Sequence, residues 1–150
     1  MAYNVIPLAL SIYQAVLDTT VNDVGPFTTL GVWTTIRSVQ LTSYGGTVLR
    51  VSAELGVDVV DGAAVRVTVN NGATLLDNGT GLAQATLRQA TQANLHMDRY
   101  FSVPVTGSPT TYTVTLDVTP EGAPNPSITV NAASNARNRA ILFVIEGKGA

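Results

Sequence analysis

The chain of 150 residues contains no cysteine and a single lysine. Without cysteine there is no disulfide, no thiolate nucleophile and no Cys-ligated zinc. A domain of this length buries an adequate core without such staples. Charge is scarce: charged residues make up 12% of the chain, about half the usual share, and the formal net charge is −2. The arginines are scattered, with Arg137 and Arg139 the one close pair. No basic patch therefore exists for the phosphate neutralisation that dominates nucleic-acid affinity. No apolar run approaches the ~20 residues needed to span a bilayer. The apolar opening, residues 1–17, does not read as a secretory leader. It lacks a positive start, and Pro7, Ser11 and Gln14 interrupt it. Neither nucleic acid nor membrane is expected as a partner.

What the chain does hold is threonine, valine, alanine, asparagine and glycine, with 45% hydrophobic residues. That composition suits pleated, half-buried surfaces. From Trp33 onward short strands alternate with turn residues, the pattern of an all-β sandwich or barrel. Over residues 47–60, Leu49, Val51, Ala53, Leu55, Val57 and Val59 alternate with mostly polar neighbours. Successive side chains point to opposite faces of a strand, so one face goes to a core. Asp61-Gly62 breaks the run, and Val65, Val67 and Val69 alternate next. Asn70-Asn71-Gly72 supplies residues that tolerate the positive φ of a tight hairpin, before a short strand near Thr74. Phe101, Val103 and Val105 share a face, with Pro104 opposite at a position that suits a sheet edge. Tyr112, Val114, Leu116 and Val118 alternate with threonines and Asp117. Residues 120–126 form a loop by composition, and residues 127–132 a short strand. Residues 82–95, rich in Ala, Gln and Leu, fit neither period, so helical turns and a long loop both remain open there.

The last strand differs from the rest. Ala140, Ile141, Leu142, Phe143, Val144 and Ile145 are apolar on both faces, so both faces must be covered. One extra buried aliphatic side chain contributes ~1.5–3 kcal/mol, enough for a few of them to drive association. Ile141, Phe143 and Ile145 are thus candidates for a subunit interface, or for contact with the N-terminal arm. That arm, residues 1–14, carries Tyr3, Val5, Ile6, Leu8, Leu10, Ile12 and Tyr13 and no charge. Its alternation favours an extended segment, while Pro7 followed by Leu10 and Tyr13 also fits a short helix. Such a segment calls for a partner that covers it.

Three stretches carry a resemblance: Gly31-Val32-Trp33-Thr34-Thr35-Ile36; Val39-Gln40-Leu41 with Gly45-Gly46-Thr47-Val48-Leu49-Arg50-Val51; and Tyr112-Thr113-Val114-Thr115-Leu116. Ser127-Ile128-Thr129-Val130-Asn131-Ala132 and Arg137-Asn138-Arg139 leading into residues 140–146 complete it. The pattern, over roughly residues 15–147, resembles small jelly-roll domains of phage virion proteins, similar to tumour-necrosis-factor/complement-type trimeric heads. The resemblance implies an antiparallel jelly-roll sandwich of about eight strands over residues 15–150, with the tryptophan in the core. It implies a homotrimer with the last strand near the three-fold axis, made in the host cytoplasm and carried on the capsid surface. A capsid decoration protein is expected, its arm holding the major capsid protein or neighbouring trimers. A receptor- or glycan-binding head of a tail fibre is the alternative.

Few residues are candidates for chemistry. His96 with Asp98 is the one histidine–carboxylate proximity, and a general base also needs a nucleophile and an orienting group in reach. Asp58 and Asp61-Gly62 suggest calcium, but their spacing fits a strand end and turn better than six to eight organised oxygens. Asn78-Gly79-Thr80 matches a glycosylation acceptor and equally a turn. Arg137 and Arg139 suit a solvated strand entrance, or an inter-subunit ion pair with Glu146 or Asp117. No enzyme activity, metal or cofactor is expected.

Overall fold

The computed structural model describes residues 12–18, 24–72, 74–75, 82–87, 91–122, 124–130 and 140–148. Eleven antiparallel strands lie in these segments: β1 Ile12–Asp18, β2 Val24–Phe27, β3 Thr34–Ser43, β4 Thr47–Val60, β5 Ala63–Asn71, β6 Thr74–Leu75, β7 Leu82–Leu87, β8 Thr91–Val103, β9 Thr110–Pro120, β10 Ser127–Val130 and β11 Ala140–Lys148. Setting aside the three shortest, β2, β6 and β10, leaves the expected eight.

Those eight fall into two sheets. In sheet A, β4 pairs with β8 on one side and β11 on the other, and β11 in turn pairs with β1. In sheet B the order is β3, β9, β5, β7. Counted along the chain, sheet A holds strands one, eight, three and six, and sheet B two, seven, four and five. That is the jelly-roll order, two Greek keys folded together. The short β10 and β2 extend sheet A beside the far half of β4.

The core follows from alternation. Leu49, Val51, Ala53, Leu55, Val57 and Val59 of β4 are buried, and face Val65, Val67 and Val69 of β5 and Tyr112, Val114, Leu116 and Val118 of β9. Each fully buried Val or Leu contributes ~1.5–3 kcal/mol. Asp61 (φ 60°) and Gly62 make the left-handed turn from β4 to β5. Asp61 also accepts a hydrogen bond from the Asn125 amide at 3.0 Å.

Three expectations need revision. Part of residues 82–95 is neither helix nor loop: β7 lies along β5 in unbroken register, and β8 has begun by Thr91. A waiting sheet edge there overrides weak local preference. Val105 does not share the buried face of Phe101 and Val103, because β8 ends at Val103 and leaves Val105 84% exposed. Trp33 is outside the core; it lies half-buried under the Arg66 guanidinium, 4.1 Å from its ring centroid.

Candidate functional site

Strand β11 divides its side chains as the alternation requires. Ala140, Leu142, Val144 and Glu146 are buried inward, while Ile141, Phe143 and Ile145 point outward and are half-buried. In register, Phe143 sits between Ser52 of β4 and Leu17 of β1, and Ile145 between Arg50 and Ala15. Three large apolar side chains therefore run along the outer face of sheet A.

Beside this stripe, β4 and β8 carry the face's charges. Arg50 donates to both oxygens of Asp98, the shortest bond 2.6 Å. The hydrogen bond from Arg50 holds the Asp98 carboxyl below its ordinary value. His96 Nδ1 lies 3.8 Å from Glu54 Oε1. The only histidine thus faces Glu54, and the Asp98 carboxylate beside it is taken up by Arg50. Tyr100, opposite Arg50 in register, is 60% exposed. Among the described residues no three His, Cys, Asp or Glu side chains gather as a metal site.

Sheet B presents a different outer face. Thr42 and Thr111 share a hydrogen bond, Gln40 donates to Thr113, and Thr68 and Thr115 share one of 2.6 Å. At its centre Asp117 is buried, accepting from Thr35 at 2.8 Å and from Arg66 at 2.9 Å. The charges of this cluster are therefore paired within the chain.

Two polar clamps join β3 to β11 between the sheets. At one end Arg37, buried, donates to the carbonyl oxygens of Ala140 (2.9 Å) and Ile36 (2.7 Å). At the other, the buried Glu146 carboxylate accepts from Ser43 and from Thr47, the latter at 2.6 Å. Burial first, and the Glu146 charge second, push the Tyr112 hydroxyl above its ordinary value. Neither Glu146 nor Asp117 is available for an inter-subunit ion pair, since both are buried and bonded in their own chain. The sequence contained a signal for Glu146: it continues the inward series Ala140, Leu142, Val144, and an inward carboxylate requires partners.

Ser43 and Thr47 bracket the turn Tyr44-Gly45-Gly46, so the second clamp fixes one end of the sandwich. There Tyr44 is 77% exposed, and the next two residues, Gly45 and Gly46, lie against Pro104 and the exposed Val105. Of the candidate interface residues, Arg137 and Arg139 lie outside the described residues. So do Tyr3, Val5, Ile6, Leu8 and Leu10 of the arm, and the Asn78 turn. Ile12 and Tyr13 belong to the backbone of β1.

No family model matches this sequence, and no curated protein does. Solved structures that are similar include two of viral particles. One is described as the structure of infectious bursal disease virus Gx strain, at 15% identity and a TM-score of 0.45, covering 91% of this chain and 36% of that one. The other is the infectious bursal disease virus VP2 subviral particle, at 13% identity and 0.45, covering 91% and 38%. The chain thus spans well under half the length of either.

Proposed function

We propose that this chain is a structural protein of a virus particle, a trimeric capsid decoration protein that assembles through the outer face of sheet A. The observation that carries the assembly reading is the stripe Ile141, Phe143 and Ile145, apolar side chains that keep part of their surface open on the outward side of an ordered sheet. Contiguous apolar surface of this kind marks contact sites. The virion reading is supported by the resemblance of the strand motifs to phage jelly-roll proteins. The jelly-roll order alone also serves lectins and cupins, so it supports the fold and leaves the role to the surfaces. In this reading the arm, with Tyr3, Val5, Ile6, Leu8 and Leu10 ahead of β1, grips a neighbouring trimer or the major capsid protein.

Light scattering on the purified protein tests the assembly, with a trimer expected; a stable monomer at high concentration overturns it. Electron microscopy of particles with and without the protein tests the location. Density on the shell is expected, and density confined to the tail would favour a receptor- or glycan-binding head. One observation supports that second reading: Tyr44 and Val105 are presented at one end of the sandwich, as a recognition tip would be.

A further inference from the structure

We propose that the open edge of β8 is a second contact site and that its partner is β8 of another copy, the two strands running antiparallel about a twofold axis at Met97. The contact goes beyond the assembly reading above. It uses a different surface from the Ile141 stripe and does not require it.

Strand β8 is the longest edge strand among the described residues, thirteen residues against ten in β3 and seven in β1. It pairs with β4 over its whole length without a register shift, and no described strand lies along its other side. One hydrogen bond tells which backbone groups that side presents. The Val103 carbonyl accepts from the Gly46 amide at 3.0 Å, so it points towards β4. Backbone groups alternate sides from residue to residue in an antiparallel ladder. Those of Asn94, His96, Asp98 and Ser102 therefore point to the open side. Arg99 agrees with this: its guanidinium donates to the Asp98 carbonyl at 2.9 Å, where a strand amide would otherwise donate. A carbonyl oxygen has two lone pairs, so Arg99 can stay when an amide arrives. A row of outward donors and acceptors of this kind is a template for strand addition.

The sequence of β8 selects the partner. Read antiparallel against itself about Met97, all thirteen residues pair. His96 of each copy then stands opposite Asp98 of the other on the outer face, so an imidazole N–H meets a carboxylate on both sides of the axis. Asp98 already accepts from Arg50, and a carboxylate accepts from several donors at once. On the inner side Leu95 stands opposite Arg99. Leu95 packs against the core yet is only half-buried, and Arg99 is exposed. The aliphatic stem of Arg99 covers what Leu95 leaves open. Moving the axis to Asp98 or to Arg99 sets two carboxylates or two guanidinium groups directly opposite, which is destabilising. Moving it the other way shortens the pairing and takes Asp98 away from His96. The contact is isologous and closes on itself. It extends sheet A across two copies and keeps both Ile141 stripes on one side of the joined sheet. A single strand pair is a small interface, so association is expected at high protein concentration.

The chain has no cysteine, so disulfide trapping reads the register directly. Full-length His96→Cys and Asp98→Cys chains are mixed at high concentration, oxidised, and resolved by non-reducing electrophoresis and peptide mass spectrometry. Directly opposite residues stand about 5.5 Å apart at Cα, within disulfide reach, whereas 96 to 96 and 98 to 98 lie roughly 8 Å apart and beyond it. The mixed disulfide is expected at least about tenfold over either homodisulfide. Comparable yields of the three, or no intermolecular disulfide, would overturn the proposal. A second variant needs no cysteine. In His96→Pro the lost N–H faces the open side, where the ladder to β4 does not use it, so the melting temperature should change little. Light scattering at high concentration should show the molar mass reduced by at least about half. Linked trimers fall to trimers if the assembly reading holds, and dimers fall to monomers if it does not. An unchanged mass in the folded variant would overturn this contact and leave the trimer in place. Should the proline prevent folding, the disulfide result alone decides.

Discussion

The two outward faces of this sandwich are built on the same alternation and differ in nearly everything else. On sheet B, threonine and glutamine side chains satisfy one another across the strands, and the charged groups Arg66 and Asp117 are paired within the chain. On sheet A, β11 turns Ile141, Phe143 and Ile145 outward beside the Arg50–Asp98 pair. A face whose polar groups bond to their own neighbours gains little from a partner. A face that leaves apolar area half-covered gains by association, about 25 cal/mol for each Å² removed from water. If the proposed assembly forms, the contrast favours sheet A as its contact face and makes sheet B the internal control.

The strongest way to break the contrast is to charge each face in turn. Phe143→Asp or Ile145→Asp should abolish the trimer, because a carboxylate would be buried unpaired at the contact. Gln40→Asp on sheet B should leave the sedimentation coefficient unchanged. If both faces tolerate the charge, or both fail, sheet A has no privileged role. The next effect is on stability alone. Asp117→Ala strands Arg66 and Thr35, and should cost about 2–3 kcal/mol in denaturant unfolding. A fully buried pair would cost more, but Arg66 keeps some access to water.

A smaller effect comes from the interior that both faces share. The Tyr112 hydroxyl titrates above its ordinary value when folded, so its contribution is complete below the unfolded value of about 10 and is lost as pH rises through the folded one. Tyr112→Phe should therefore flatten the alkaline limb of a stability–pH curve. The smallest effect belongs to Asp98 on sheet A. Its folded value is depressed, so its contribution is present above the unfolded value of about 3.9 and fades as pH falls through the folded one. Arg50→Gln should remove that acid-side dependence with little change at neutral pH, since exposed ion pairs contribute little.

The core was legible because the strands that carry it alternate strictly, as β4, β5 and β9 do. The twofold apolar pattern of residues 140–145 likewise pointed to outward apolar side chains on β11, and the structure places Ile141, Phe143 and Ile145 there. What resisted reading was non-local. Residues 82–87 have a composition that favours no period, and only the edge of β5 makes them a strand. The family resemblance implied a core position for Trp33, yet Arg66, far along the chain, supplies a cation above its ring. Glu146 and Asp117 look alike in the sequence as lone acids among strand residues, and their hydroxyl and guanidinium partners come from strands that only the topology brings near.

The clamps between β3 and β11 have a consequence for the order in which the molecule becomes competent. Each joins residues 103 positions apart, Arg37 to Ala140 and Ser43 to Glu146. Neither can close until β11 has been synthesised, after every other described strand. Contacts of such long range form late and slowly. Strand β11 also carries the outward stripe, so the segment that finishes the sandwich is the one that presents Ile141, Phe143 and Ile145. A nascent chain still lacking β11 has no stripe with which to meet its siblings. Completion of the fold and presentation of the stripe therefore arrive together, with β11.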